Sequence, residues 1–143
     1  NREGLPFVLA FVDIDHFKQI NDQHGHKVGD QVLEELAVLH SGSVREVDLV
    51  ARYGGEEFVL LLNGLTLVTA EPALNRLRMA VMEKRFSQSA LPLTVSVGVS
   101  QYHPGESSDA LINRADRLLY EAKRSGRNRV ITESLERVRE MVD

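Results

Sequence analysis

The sequence predicts an α+β domain built on one sheet with a βαββαβ core. Three observations carry that expectation. A continuous apolar run, Phe7-Val8-Leu9-Ala10-Phe11-Val12, stops abruptly at Asp13-Ile14-Asp15. Two β-rich segments, 48–53 and 58–62, flank Gly54-Gly55-Glu56-Glu57. Amphipathic stretches with helical spacing separate the β-rich segments.

The first run is short, rich in Val and Phe, and bounded by polar residues, as expected of a strand covered on both faces. It places Asp13 at the carboxyl end of that strand. Over residues 28–40, the apolar Val28, Val32, Leu33, Leu36, Ala37 and Leu39 fall close to helical spacing. The two segments around Gly54-Gly55 read as a β-hairpin. A second amphipathic helix covers residues 69–85, with Thr69 as N-cap and Pro72 tolerated in the first turn. Residues 91–101 are β-rich, with Val95, Val97 and Val99. Ser107 or Ser108 caps a third helix that runs through Lys123 and ends near Gly126. Residues 129–131 form a short last strand, and 134–142 a charged terminal helix. This order is that of a ferredoxin-like sheet with additions, a central antiparallel sheet flanked by helices. One domain spans 1–131, followed by a charged helical tail over 132–143. If the strands are adjacent, the end of the first strand meets the hairpin turn, gathering Asp13, Asp15, Glu56 and Glu57.

At 143 residues, 43% of them hydrophobic, the chain suits one folded domain. Lys and Arg number 17 against 21 Asp and Glu, a net charge of -4, which argues against a nucleic-acid polymer as partner. There is no cysteine, which excludes disulfides and thiolate metal sites. No leader is visible, and no apolar run approaches the roughly eighteen residues of a membrane span. A cytoplasmic location is expected, with any membrane anchor outside this chain.

Carboxylates crowded at two loop tips repel one another, and a divalent cation removes that cost. Solvated acidic turns are the plain alternative. Gly54-Gly55 either satisfies a type I′ turn or lets a phosphate or ribose approach the backbone. Lys18, just past the first strand, and Lys123 and Arg127, at the end of the third helix, form a phosphate clamp or simply complement helix dipoles.

Four blocks together resemble a known family. Phe11-Val12-Asp13-Ile14-Asp15-His16-Phe17-Lys18-Gln19-Ile20-Asn21-Asp22, then Gly25-His26 and Gly29-Asp30, resemble the opening signature of GGDEF domains. Ala51-Arg52-Tyr53-Gly54-Gly55-Glu56-Glu57-Phe58 resembles the signature turn in its Glu-containing form. Thr94-Val95-Ser96-Val97-Gly98-Val99 resembles one closing block. Arg114-Ala115-Asp116 with Tyr120, Ala122-Lys123 and Gly126-Arg127-Asn128 resembles the other. The resemblance covers residues 7–130 in order. The helix that usually opens the family is represented only by an end-like stretch at 1–6.

The resemblance implies a diguanylate cyclase that condenses two GTP into cyclic di-GMP and two pyrophosphates, on a fold related to nucleotidyl cyclases and polymerase palms. It implies Mg2+, with Mn2+ as a substitute, held by Asp13, the main-chain carbonyl of Ile14 and Glu56, with Glu57 at a second metal. Glu56 is the family's candidate for taking the ribose 3′-hydroxyl proton; metal activation of that hydroxyl is an equally good account. Lys18 stabilises phosphate charge, with main-chain groups of His16 and Phe17 nearby, and Lys123 and Arg127 hold the terminal phosphate. Asn21 and Asp30 read guanine, a carboxylate accepting from N1–H and N2–H2 together. His26 lines the same pocket or is a structural histidine preceding a helix. Arg45-Glu46-Val47-Asp48 matches the family's Arg-x-x-Asp inhibitory product site, with Arg76 as its second arginine; an ordinary Arg–Asp surface pair is the alternative. One site holds one GTP, so catalysis implies a homodimer, with a sensory or anchoring domain upstream. The competing reading is a noncatalytic module that binds GTP or cyclic di-GMP.

Overall fold

The computed structural model describes residues 6–46 and 48–133; the expected tail helix lies outside them. The elements are β1 (Phe7–Ile14), α1 (Phe17–His24), α2 (His26–Gly42), β2 (Leu49–Arg52), β3 (Glu57–Asn63), α3 (Leu67–Glu83), β4 (Val95–Gln101), α4 (Ser108–Arg124) and β5 (Val130–Thr132). The sheet order is β2-β3-β1-β4-β5. β1 therefore lies at the centre, antiparallel to both β3 and β4. The expected antiparallel sheet is mixed in one respect: β5 runs parallel to β4. The reason is α4, a helical crossover that returns the chain to the end of the sheet from which β4 started.

β1 is buried on both faces because helices cover both. Val8, Ala10, Val12 and Ile14 point into the larger core with Phe58, Leu60, Leu62, Val95, Val97 and Val99, under Phe17, Leu36, Leu74 and Val81 of the first three helices. Leu9 and Phe11 face the other way, against Leu111, Ala115 and Leu119 of α4. That helix packs very close to the sheet. A methyl group added at Gly98 would lie 2.2 Å from the Leu119 backbone nitrogen and 2.4 Å from the Ala115 carbonyl oxygen.

Local signals differ from expectation in three places. The α1 helix was not predicted. The N-cap of α3 is Thr66, whose side chain accepts from the Thr69 N–H while Thr69 reciprocates to the Thr66 N–H, a capping box that puts Thr69 at the third helical position. β4 begins at Val95, because Phe86 and Leu91 pair with each other in a small closed turn and consume the preceding segment.

Candidate functional site

At the carboxyl end of β1, Asp13 lies directly across from Glu57 on β3 and from Ser96 on β4. Cross-strand partners share a face, so all three are on the α4 side of the sheet. Lys123, in the last turn of α4, brings its Nζ to 2.5 Å from Asp13 Oδ2. Asp13 Oδ1 is buried and has no hydrogen-bond partner among the described residues. Glu56 sits in the adjoining turn. Burial, then the neighbouring Asp13, with a smaller push from Glu57, raise its carboxyl to about 7 against the opposing charge of Lys123. Burial and the charges of Asp13 and Asp116 raise Glu57 as well, again opposed by Lys123.

Among the described residues, no group of three or more His, Cys, Asp or Glu side chains is placed to hold a metal ion by itself. Magnesium does not need one, since it is commonly held by one or two carboxylates together with water and substrate phosphates. A buried carboxylate oxygen without a partner, beside two carboxylates held above their usual range, is a donor set that fits such a cation.

Asp15 does not join this group, contrary to expectation. Its carboxylate accepts from Thr94 Oγ1 at 2.6 Å, Ser96 Oγ at 2.7 Å and the Asn128 backbone N–H at 3.0 Å. It therefore staples the end of β1 to β4 and to the loop after α4. In that loop Arg127 and Asn128 both adopt positive φ, 65° and 47°.

Beside the acidic turn, α1 and α2 meet at an elbow and border an open cleft of about 460 Å3. Its lining includes Phe17, Lys18, Asn21, His26 and Asp30 from the helices, and Arg52, Gly55 and Glu56 from the hairpin. The hairpin turn is not type I′, because neither Gly54 nor Gly55 has positive φ. It is closed by the Tyr53 N–H donating to the Glu57 carbonyl at 2.8 Å and by Arg52 Nη2 donating to the Gly55 carbonyl at 2.6 Å. Methyl groups added at Gly54 or Gly55 would meet nothing within 4 Å, so the turn presents bare backbone to open space.

At the opposite end of the sheet, Arg45 and Asp48 form a forked pair: Nε to Oδ2 and Nη2 to Oδ1, both 3.0 Å. Asp48 also accepts from the Arg45 and Asn63 backbone N–H groups at 3.0 and 2.9 Å. Burial acts to raise Asp48, but these hydrogen bonds and the Arg45 charge outweigh it and hold the carboxyl below its ordinary range. Arg45 Nη2 further donates to the Asn63 carbonyl at 2.5 Å. Asn63 is six residues along β3 from Glu57, roughly 20 Å at strand rise.

A family model described as "Diguanylate cyclase, GGDEF domain" matches residues 1–129. The chain belongs to the GGDEF family. Diguanylate cyclase A of Treponema denticola is 44% identical over 125 residues, covering 85% of this chain and 34% of that protein. The solved GGDEF domain of DgcB from Caulobacter crescentus, in complex with c-di-GMP, superposes with a TM-score of 0.85 at 37% identity, over 90% of this chain and 78% of that one. The active GGEEF domain of a diguanylate cyclase from Vibrio cholerae gives 0.83 at 37% identity, over 90% and 83%. The chain spans about a third or less of the length of the curated relatives described as Diguanylate cyclase A, Diguanylate cyclase DgcP and Response regulator PleD.

In this GGDEF domain the residues singled out from sequence do not all fall in one place. Asp13, Glu56 and Glu57 converge with Lys123, and Ile14 closes β1 opposite Val95. Phe17, Lys18, Asn21, His26, Asp30 and Gly55 line the cleft with Glu56. His16 stands at the head of α1 with φ of 59° and borders a separate recess of about 340 Å3 on the other side. Arg127 is exposed on its left-handed loop, and Arg76 is exposed midway along α3. Two features escaped the sequence. Arg52 joins the cleft, its signal being only its place beside the glycines. Lys123 pairs with Asp13, a link that nothing in either local motif announces.

Proposed function

We propose that this domain condenses two GTP into cyclic di-GMP. The observation that carries the reading is that a single cleft holds Asn21 and Asp30, a pair suited to guanine, together with Glu56 of the acidic turn. The 3′-hydroxyl of one GTP attacks the α-phosphorus of the other, the bond to the β-phosphate oxygen breaks, and pyrophosphate leaves; a second such step closes the ring. Asp13, the Ile14 carbonyl and Glu56 hold Mg2+, with Glu57 near a second ion. When bound, the metal neutralises charge on the phosphate oxygens. Glu56 supplies an acidic oxygen at the reacting edge, as ligand or as acceptor of the ribose proton. The bare Gly54-Gly55 backbone admits the phosphates and ribose. Lys18 offsets phosphate charge, and Lys123 and Arg127 take the terminal phosphate. His26 borders the base.

One cleft holds one nucleotide, so two copies must face each other, and catalysis here is chiefly positioning and electrostatics. Arg45 and Asp48, with Arg76 of another copy, bind product far from the turn and act by favouring an arrangement in which two clefts cannot meet. In the longer protein a sensory or anchoring segment upstream sets how two domains approach, and a GTP substrate places the domain in the cytoplasm.

The test is incubation of the protein with GTP and Mg2+, with products resolved by chromatography. Cyclic di-GMP and pyrophosphate in a ratio of one to two, at a rate rising faster than linearly with protein concentration, support the reading. GTP binding without turnover would replace it with a noncatalytic module.

A further inference from the structure

Asn21 lies in α1 and Gly29 in α2, on either side of Gly25. A hydrogen-bonded ladder crosses this elbow: Gly25 N–H donates to the Asn21 carbonyl at 2.8 Å, and Gly29 N–H to the Gly25 carbonyl at 3.1 Å. Gly29 is buried inside a regular helix, and its φ is not positive. The backbone therefore does not require glycine there, and glycine within a helix is less favourable than alanine.

What requires it is space. A methyl group added at Gly29 would lie 1.9 Å from Asn21 Oδ1, 3.0 Å from Asn21 Cγ and 3.3 Å from Phe17 Cζ. The first distance is far inside contact, and the clashing atoms belong to the Asn21 carboxamide. Phe17 is itself in the core, and the ladder fixes both helix backbones, so the group that can give way is that carboxamide. Asp30, the next residue after Gly29, lines the same cleft as Asn21.

We infer that Gly29 is a specificity-determining position of the nucleotide cleft: its missing side chain seats the Asn21 carboxamide against α2, in one fixed setting with Asp30. The inference rests on the reading of this cleft as a guanine site. An alanine at position 29 improves the local helix and displaces the carboxamide, so it separates stability from recognition. A residue with a merely structural role would not do that.

The experiment uses 3′-deoxy-GTP and 3′-deoxy-ATP, which bind but cannot cyclise, titrated by calorimetry with Mg2+ into the parent, Gly29→Ala, Asn21→Ala and the double variant. Gly29→Ala is expected to melt no lower than the parent, to bind 3′-deoxy-GTP about tenfold more weakly, and to show a narrower preference over 3′-deoxy-ATP. In the Asn21→Ala background the same change should alter affinity by less than about twofold, because the obstructed group is gone. If Gly29→Ala also loses stability, restoration of melting in the double variant still traces the effect to Asn21. Parent-like affinity in Gly29→Ala, or full additivity of the two changes, overturns the inference while leaving the guanine site standing. If Asn21→Ala leaves the base preference untouched, the guanine reading and the inference fall together.

Discussion

Where β1 finishes and β3 begins, Asp13, Glu56 and Glu57 share the ammonium of Lys123, and both glutamates are held above the usual carboxylate range. At the other end of the sheet, acids meet arginines. Asp48 is forked to Arg45. Glu106 faces Arg114, whose hydrogen bonds outweigh burial and hold it below its usual range. Arg114 also donates to the Gln101 carbonyl at 2.6 Å and approaches Glu133 at 3.3 Å, where Arg117 adds a second guanidinium at 3.3 Å. The two ends were built by the same strands, so the difference is one of side-chain choice. At the distal end each of these carboxylates faces at least one guanidinium. The turn end carries an excess of negative charge that a ligand must complete, which is what makes it the functional candidate.

The largest expected effect strikes the unfinished end. Glu56→Gln should lower cyclic di-GMP formation on the order of a thousandfold, as removal of metal-borne stabilisation implies, while thermal melting stays at or above the parent's. Near-parent turnover would place the chemistry elsewhere. The reverse pattern is expected at the finished end. Arg114→Leu strips Glu106 of its guanidinium and leaves the buried Glu133 with Arg117 alone, which should cost roughly 3–5 kcal/mol in denaturant unfolding. An unfolding midpoint like the parent's would show that this network contributes nothing.

Acid probes the core between the two ends. His40 is fully buried, edge-on to the Phe58 ring at 4.9 Å, and neither ring nitrogen has a partner among the described residues. Burial lowers its pKa from 6.5 to about 4. The unfolded chain therefore takes up this proton first, so the contribution is complete above pH 6.5 and is lost as pH falls towards 4. The raised carboxyls of Glu56 and Glu57 change stability in the opposite sense over this range, so the readout is a difference: between those limits the parent should lose about 3 kcal/mol more than His40→Leu in denaturant curves. The smallest effect on rate belongs to Arg45→Ala. Initial turnover should stay within about twofold, while cyclic di-GMP binding measured by calorimetry weakens at least tenfold. Loss of basal activity with the fold intact would mean the two ends are not separate.

The long periodic features were legible. The apolar run of β1 fixed both its burial and the position of Asp13, and Gly54-Gly55 between two β-rich runs fixed the hairpin. The α1 helix was not legible, because eight residues with only Phe17 and Ile20 on their apolar side complete too few turns to display a period. The switch of N-cap from Thr69 to Thr66 shows a similar limit: two threonines three apart are each acceptable caps, and their reciprocal bonding decides. For the site, residue type could not separate Asp13 from Asp15. One keeps a buried, partnerless oxygen and the other is saturated by Thr94, Ser96 and Asn128, partners about eighty to a hundred and ten residues away. The separation of the Asn21–Asp30 cleft from the recess bordered by His16 likewise depends on which side of a helix too short to predict each residue takes.

The pairing of β1 with β3 sets Val12 opposite Phe58 and Asp13 opposite Glu57. A slip of one residue would exchange the two faces along the whole strand. Val8, Ala10 and Val12 would leave the larger core in the same movement that carried Asp13 away from Lys123 and into apolar surroundings. Misaligned carboxylates and a well-packed interior are therefore mutually exclusive in this sheet, and proofreading of the acidic centre is carried out by its hydrocarbon neighbours.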